Sequence, residues 1–313
     1  MLFPVIETDP PAGFAPASPR YRRGASLSTL WWCFVKWSGT PVLPRVSHRS
    51  ERRGLAVFLV PEKLWSLKNC FIAVMQYPAP TPMNAWKTLL LVYRRIDVQI
   101  STDEIRQERF VNELAEDEIE DALVSFRAFS ALAENLSDGE ASVTYEIAMI
   151  EEPLSSVTSD GGNTFWPSPD DTRNELDSLA PAGSYDSILI LWPQNSPASG
   201  AQIPCRGWGL GMAPSAWTNE TTYAVIANAP SWAWEIPVVG EVWLHEWLHG
   251  VCGFFAGKGF EMPVQDADAG GSHGYVQSDI TGWTDFYRDL MTGRVLEDGR
   301  HTGITAEAWR SRV

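Results

Sequence analysis

Cysteine, histidine and basic residues are all scarce in this chain. Four cysteines occur in 313 residues (Cys33, Cys70, Cys205 and Cys252), with no CxxC pairing, so a dense disulfide framework is excluded. No stretch approaches the roughly 18–20 continuous apolar residues of a transmembrane helix, which argues against stable membrane insertion. Lysine and arginine total 24 against 39 acidic residues, a formal charge of −15. The deficit is uneven. Residues 1–80 hold ten basic and four acidic residues, a net +6, so the remainder carries −21. A strongly acidic main region argues against nucleic acid as a partner. A length of 313 residues suffices for one or two domains with a real core.

A secretory signal is also missing from the readable pattern. Basic residues come late (Arg20, Arg22, Arg23), and no A-x-A site follows an apolar core of the right length. Residues 1–85 alternate proline-rich pieces (Pro10-Pro11, Pro16, Pro19), arginine clusters and short apolar scraps such as Leu30–Val35. They are expected to be a poorly structured extension, or to precede a true start near Met75 or Met83.

Orderly patterning begins near residue 86. Leu89–Ile100 ends in apolar/polar alternation and reads as a strand. Residues 103–136 place Phe110, Leu114, Ile119, Leu123, Phe126, Phe129 and Leu132 at helical spacing, predicting one or two helices, the second over 116–135. Ser142–Ile150 reads as a strand, Pro167–Asp171 as the opening of a short helix to Leu179, and Tyr185–Trp192 as a central strand. Residues 195–220 read as a long loop or irregular hairpin, Thr221–Asn228 as a further strand, and 239–256 as a helix ending at Gly257. A last helix is expected between Thr284, as N-cap, and Gly293.

The helix at 239–256 contains His245-Glu246-Trp247-Leu248-His249, and two of the chain's five histidines sit here. Histidines four apart on a helix lie on one face, a turn apart, and their imidazoles can share one Zn²⁺. A glutamate beside the first can reach a water in that site and take its proton. By composition alone, HExxH arises in a chain of this length about 1% of the time. The uncharged flanks (Trp247, Leu248, Gly250, Val251) suit a buried active-site helix.

This segment resembles the centre of the zinc metallopeptidases called zincins. The resemblance is strong over about 20 residues and architectural over 86–293, in the order strand, helix, strand, short helix, strand, loop, strand, zinc helix. It implies an α+β fold: a twisted mixed sheet backed by helices, the HExxH helix beneath it, and a small C-terminal subdomain, all within residues 86–313. It also implies an edge strand able to pair with an extended substrate, for which Tyr223–Asn228 is the candidate. Zinc needs a third protein ligand and one open position. The metzincin continuation fails, because Cys252 and Phe255 stand where glycine and histidine would be. A later glutamate ligand is weakly represented by Glu261, Glu297 and Glu307. The glycine-rich stretch Gln265–Tyr275 offers His273 first, with Asp268 and Asp266 as alternatives, as in the aspartate-ligand branch. Asp285 and Asp289 are candidates to accept a zinc-bound histidine's second N–H. Tyr275 and Tyr287 are candidate oxyanion donors. Cys252 reads as a small buried residue.

The expected activity is zinc-dependent hydrolysis of peptide bonds in a peptide or protein substrate, with Glu246 as general base. The rivals are a zinc-binding recognition module, suggested by 15 tryptophans of which Trp208, Trp217, Trp232, Trp234 and Trp283 flank the expected cleft, and a zinc hydrolase of a non-peptide or cell-wall amide. A closed structural zinc site that includes Cys252 is a third. Extracellular placement is an expectation from the resemblance.

Overall fold

A computed structural model describes residues 85–101, 107–161, 163–207, 209–235 and 237–312. The expectations for residues 1–84, including the alternative start sites, lie outside the described residues.

Strand β1 (Trp86–Tyr93) is buried except at Lys87, and the chain then breaks at Arg94, whose guanidinium bonds Glu116. The single strand expected over Leu89–Ile100 is therefore two. Strand β2 (Arg95–Ser101) leaves the main sheet and pairs antiparallel with β3 (Gln107–Glu113). The helix expected at the start of 103–136 is this second strand. Phe110 and Leu114 are four apart, which fits a helix. Yet Phe110 is buried opposite Val98 while Val111 is 58% exposed, the two-residue alternation of a strand. Arg109 clamps Asp97 across the pair, Nε to Oδ1 at 2.7 Å.

Helix α1 (Glu116–Leu136) begins where Glu118 accepts the Ala115 N–H at 2.9 Å, and three acidic residues in its first turn complement the helix dipole. It buries Ile119, Leu123, Phe126 and Phe129 against the sheet. Then come β4 (Val143–Ile150), a small β5 (Thr158–Gly161) and β6 (Thr164–Trp166) pair, α2 (Arg173–Leu179) and β7 (Ser187–Trp192). The expected loop at 195–220 contains a short β8 (Asn195–Ser196) and β9 (Ala201–Gln202) pair and a further strand, β10 (Gly209–Met212). After β11 (Thr222–Ala227) come α3 (Ser231–Glu235), α4 (Glu241–Gly257), α5 (Thr284–Met291), β12 (Val295–Glu297), β13 (Arg300–Thr302) and α6 (Ala306–Arg310).

The fold is mixed α+β. The main sheet has the order β10-β11-β7-β1-β4, four parallel strands with β10 antiparallel at one edge. Strands β7 and β11 are buried on both faces, as an internal parallel strand must be, and this is why their sequences read as continuous apolar runs. Leu90, Leu189 and Ile226 point to the core beneath α1 and α4. Leu89, Ile188 and Tyr223 point to the opposite core, under β2, β3 and α2. No helix among the described residues is long and apolar enough to cross a membrane.

The edge-strand expectation needs correction. Tyr223–Asn228 is internal, between β7 and β10; the sheet's edges are β10, on the side of the HExxH helix, and β4. The Gly-Leu-Gly of β10 has little strand propensity and concealed it. Thr284 is the first residue of α5 rather than its cap, and its hydroxyl bonds Thr281 O at 2.6 Å. Gly293 does end that helix: at φ +65° it lets Arg294 N–H reach Asp289 O at 2.7 Å, a Schellman stop.

Candidate metal centre

Helix α4 is held from below by aromatics. Trp247 stacks on Trp309 of α6, and Trp243 stacks on Trp234 of α3. Ser187 Oγ, at the start of β7, accepts the indole N–H of Trp247 at 3.0 Å and that of Trp86 at 2.5 Å. With one face so anchored, the opposite face presents His245 and His249 to a cleft of about 670 Å³. The cleft is walled mainly by apolar groups, among them Leu210, Val242, Trp232 and Trp283.

The imidazoles meet edge to face, and their Nε2 atoms lie 3.3 Å apart. Both Nδ1 atoms are engaged elsewhere. His249 Nδ1 donates to Asp266 Oδ1 at 2.5 Å, and His245 Nδ1 meets the Tyr287 hydroxyl at 2.8 Å. The Asp266 carboxylate only accepts and so keeps a proton on His249 Nδ1, whereas the Tyr287 hydroxyl can either donate to or accept from His245 Nδ1 and fixes that ring's orientation. Asp268 completes the cluster, with Oδ1 3.4 Å from His245 Nε2 and Oδ2 3.9 Å from His249 Nε2.

Glu246 lies beside the pair, its Oε1 3.9 Å from His245 Nε2, and is only 5% exposed. Burial pushes its carboxyl up to about 7, against the pull of His249. Burial, with His249 close by, pushes His245 down to about 4. His249 moves the other way: burial would lower it, but the hydrogen bond and charge of Asp266 outweigh that and raise it. Glu241, one turn before His245, also lines the cleft. Its carboxyl is raised by burial, while Oε1 accepts the Trp283 N–H.

Of the residues singled out from sequence, His245, Glu246, His249, Asp266, Asp268 and Tyr287 come together. His273 does not join them. Its Nδ1 donates to Leu296 O at 3.2 Å and its Nε2 lies 3.4 Å from Glu297 Oε1. Asp266 faces the Nδ1 side of His249, which makes it an orienting partner and leaves Asp268 as the carboxylate facing both Nε2 atoms. Tyr275 donates to Asp289 Oδ2 at 2.7 Å, away from the pair, and Asp289 also holds Arg294 at 3.1 Å. Asp285 is exposed. The orienting partners of the two histidines are thus Tyr287 and Asp266 rather than Asp285 or Asp289. Cys252 is buried in the core, its thiol pushed up by burial. Of the tryptophans, Trp232 and Trp283 line the cleft, Trp234 is buried, and Trp217 bonds Asp170 at 2.8 Å. Trp208 lies outside the described residues.

Sequence reasoning missed β10, which roofs the cleft. A Cβ added at Gly209 would fall 2.4 Å from Glu246 Cδ. One at Gly211 would fall 2.4 Å from Glu246 O and 2.7 Å from His249 Cβ. The two glycines let backbone lie directly on the HExxH turn. Their alternation, Gly-Leu-Gly, was the available signal. Gly211→Ala is expected to force strand and helix apart and to cost roughly 1–3 kcal/mol by overpacking. Urea unfolding followed by circular dichroism measures it, and an unchanged midpoint would refute the close fit.

No family model matches the chain, and no curated protein matches it.

Proposed function

We propose that this chain is a zinc-dependent peptidase of the zincin type, with His245, His249 and Asp268 as metal ligands and Glu246 as general base. The observation that carries the reading is the pair of Nε2 atoms 3.3 Å apart, each with its Nδ1 already engaged and with the Asp268 carboxylate facing both. Two lone pairs at that distance repel unless a cation or a proton lies between them. The separation is close to the roughly 3.3 Å edge of a tetrahedron with bonds of about 2.0–2.1 Å. Two imidazoles and one carboxylate are a donor set that suits Zn²⁺ and leaves a position open.

Bound there, zinc would supply a Lewis acid for the scissile carbonyl and lower the pKa of a water. The remaining chemistry belongs to the chain. Glu246 takes the proton of the attacking water and delivers it to the leaving amine nitrogen. Tyr287 and Asp266 hold the two rings in register. The free edge of β10 offers backbone N–H and C=O groups to an extended peptide, which favours a polypeptide substrate over a compact one. An edge strand lying over the HExxH helix supports this reading.

The test is elemental analysis of the purified full chain, together with hydrolysis of an unfolded polypeptide such as casein. About one zinc per chain is expected, with hydrolysis lost on chelation and restored by zinc. A folded chain that takes up no zinc would end the reading. A zinc-loaded chain that cleaves no polypeptide would turn it toward the recognition module.

A further inference from the structure

Asp266 and Asp268 sit on a loop that has no regular structure to fix it beyond two single-turn 3-10 segments. Its backbone is also costly. Gln265 and Asp266 are consecutive non-glycine residues at positive φ, 71° and 37°. Such conformations persist only where the surroundings over-determine them. The hydrogen bonds of His249 and the loop's own turns act from the cleft side. From outside, Ala267 and Ala269 are buried in the core and Gly270 lies against Trp283 and Phe286, while the hairpin of β12 and β13 supplies polar contacts.

That hairpin grips the loop at both ends. Glu297 Oε1 accepts the Val264 N–H at 3.2 Å, one residue before the strained pair. The same oxygen lies 3.4 Å from His273 Nε2, at the far end, while His273 Nδ1 donates to the neighbouring Leu296 O at 3.2 Å. That carboxylate oxygen therefore bonds the start of the segment 264–273 and lies beside its far end, where the neighbouring Leu296 carbonyl takes the ring N–H, with both aspartates between them. Farther back, Arg300 pairs with Glu261 at 2.9 Å and Gly303 N–H bonds Glu261 O at 2.9 Å. Glu297 does not line the cleft.

We propose that Glu297 is a positioning residue for the metal centre: with His273 it clasps the 264–273 loop and sets Asp266 against His249 and Asp268 against both histidines. This rests on the metal-site reading above. It also gives His273 a role, as half of the clasp rather than as a ligand. Removing the clasp lets the strained pair relax, so the carboxylates spend less time in place and metal binds more weakly. The number of sites does not change.

The experiment measures zinc dissociation constants of the full chain at fixed pH by competition with a chromophoric chelator. Thermal midpoints of the metal-free proteins are recorded beside them. Glu297→Ala is expected to weaken zinc about tenfold, at the low end for residues that support metal ligands, with about one zinc still bound at saturation. Glu297→Gln keeps an oxygen for the Val264 N–H and is expected to fall between Glu297→Ala and wild type. Arg300→Ala, which breaks the Glu261 pair on the same hairpin, is expected to bind zinc as wild type does. Unchanged affinity in both Glu297 variants would overturn the clasp while leaving the metal site intact. An equal loss in Arg300→Ala would also overturn it, by showing general loosening of the hairpin. No zinc on the folded wild type would overturn the clasp and the metal reading together.

Discussion

Glu246→Gln is expected to lose about 10²–10⁴-fold in turnover while binding zinc as tightly as wild type. The reasoning is local. The side chain is 5% exposed and sits under Gly209, whose approach leaves no room for a different shape. Glutamine keeps that shape but has no basic oxygen, so the attacking water keeps its proton and the leaving nitrogen receives none. Asp268, at 3.4 Å from His245 Nε2 against 3.9 Å for Glu246, is the proposed carboxylate ligand and Glu246 the proposed base, so the metal count should not change. Steady-state hydrolysis and elemental analysis on one preparation decide the matter. Full turnover in a zinc-loaded Glu246→Gln sample would remove Glu246 from the mechanism.

Asp268→Ala should nearly empty the metal site, with zinc affinity lower by a hundredfold or more. Taking away one of three protein ligands removes a direct bond, whereas the loss of an orienting partner costs roughly 10–100-fold. His273→Ala is the informative contrast. It should retain about one zinc per chain, with affinity reduced only to the extent seen for Glu297→Ala. Titration of both variants with zinc, read by the same chelator competition, separates the two assignments. Retention of wild-type affinity by Asp268→Ala with loss of binding by His273→Ala would restore the three-histidine site.

Most of the HExxH helix was legible in the sequence, because i,i+4 spacing of two histidines on an apolar helical run places both on one face. The central strand at 187–192 was legible for a similar reason: an apolar run of that length fits a strand buried on both faces. What failed depended on long-range contacts. Phe110 and Leu114 share both a helical and a strand reading, and only pairing with β2 decides between them. Strand β10 contains glycines that touch a helix more than 30 residues later, and the Gly-Leu-Gly alternation was the one local sign of it. His273 looked like a ligand because it is the only histidine near the motif, yet proximity in sequence says nothing about which side of a loop a ring faces. Asp268 was visible only as one of two aspartates, two residues apart, that the 3-10 turn sends to different histidine nitrogens.

The indoles beneath α4 have an optical consequence. Trp247 adjoins Glu246 in sequence and lies with its plane 13° from that of Trp309, while Trp243 lies 15° from Trp234. Fixed pairs of chromophores at such angles couple their transitions and yield near-ultraviolet circular dichroism, a signal that disappears when packing loosens even if helices persist. The ring pairs straddle the helix that carries both histidines. The chain thus holds an internal, label-free gauge of whether that helix is seated on α3 and α6, readable before any substrate is known.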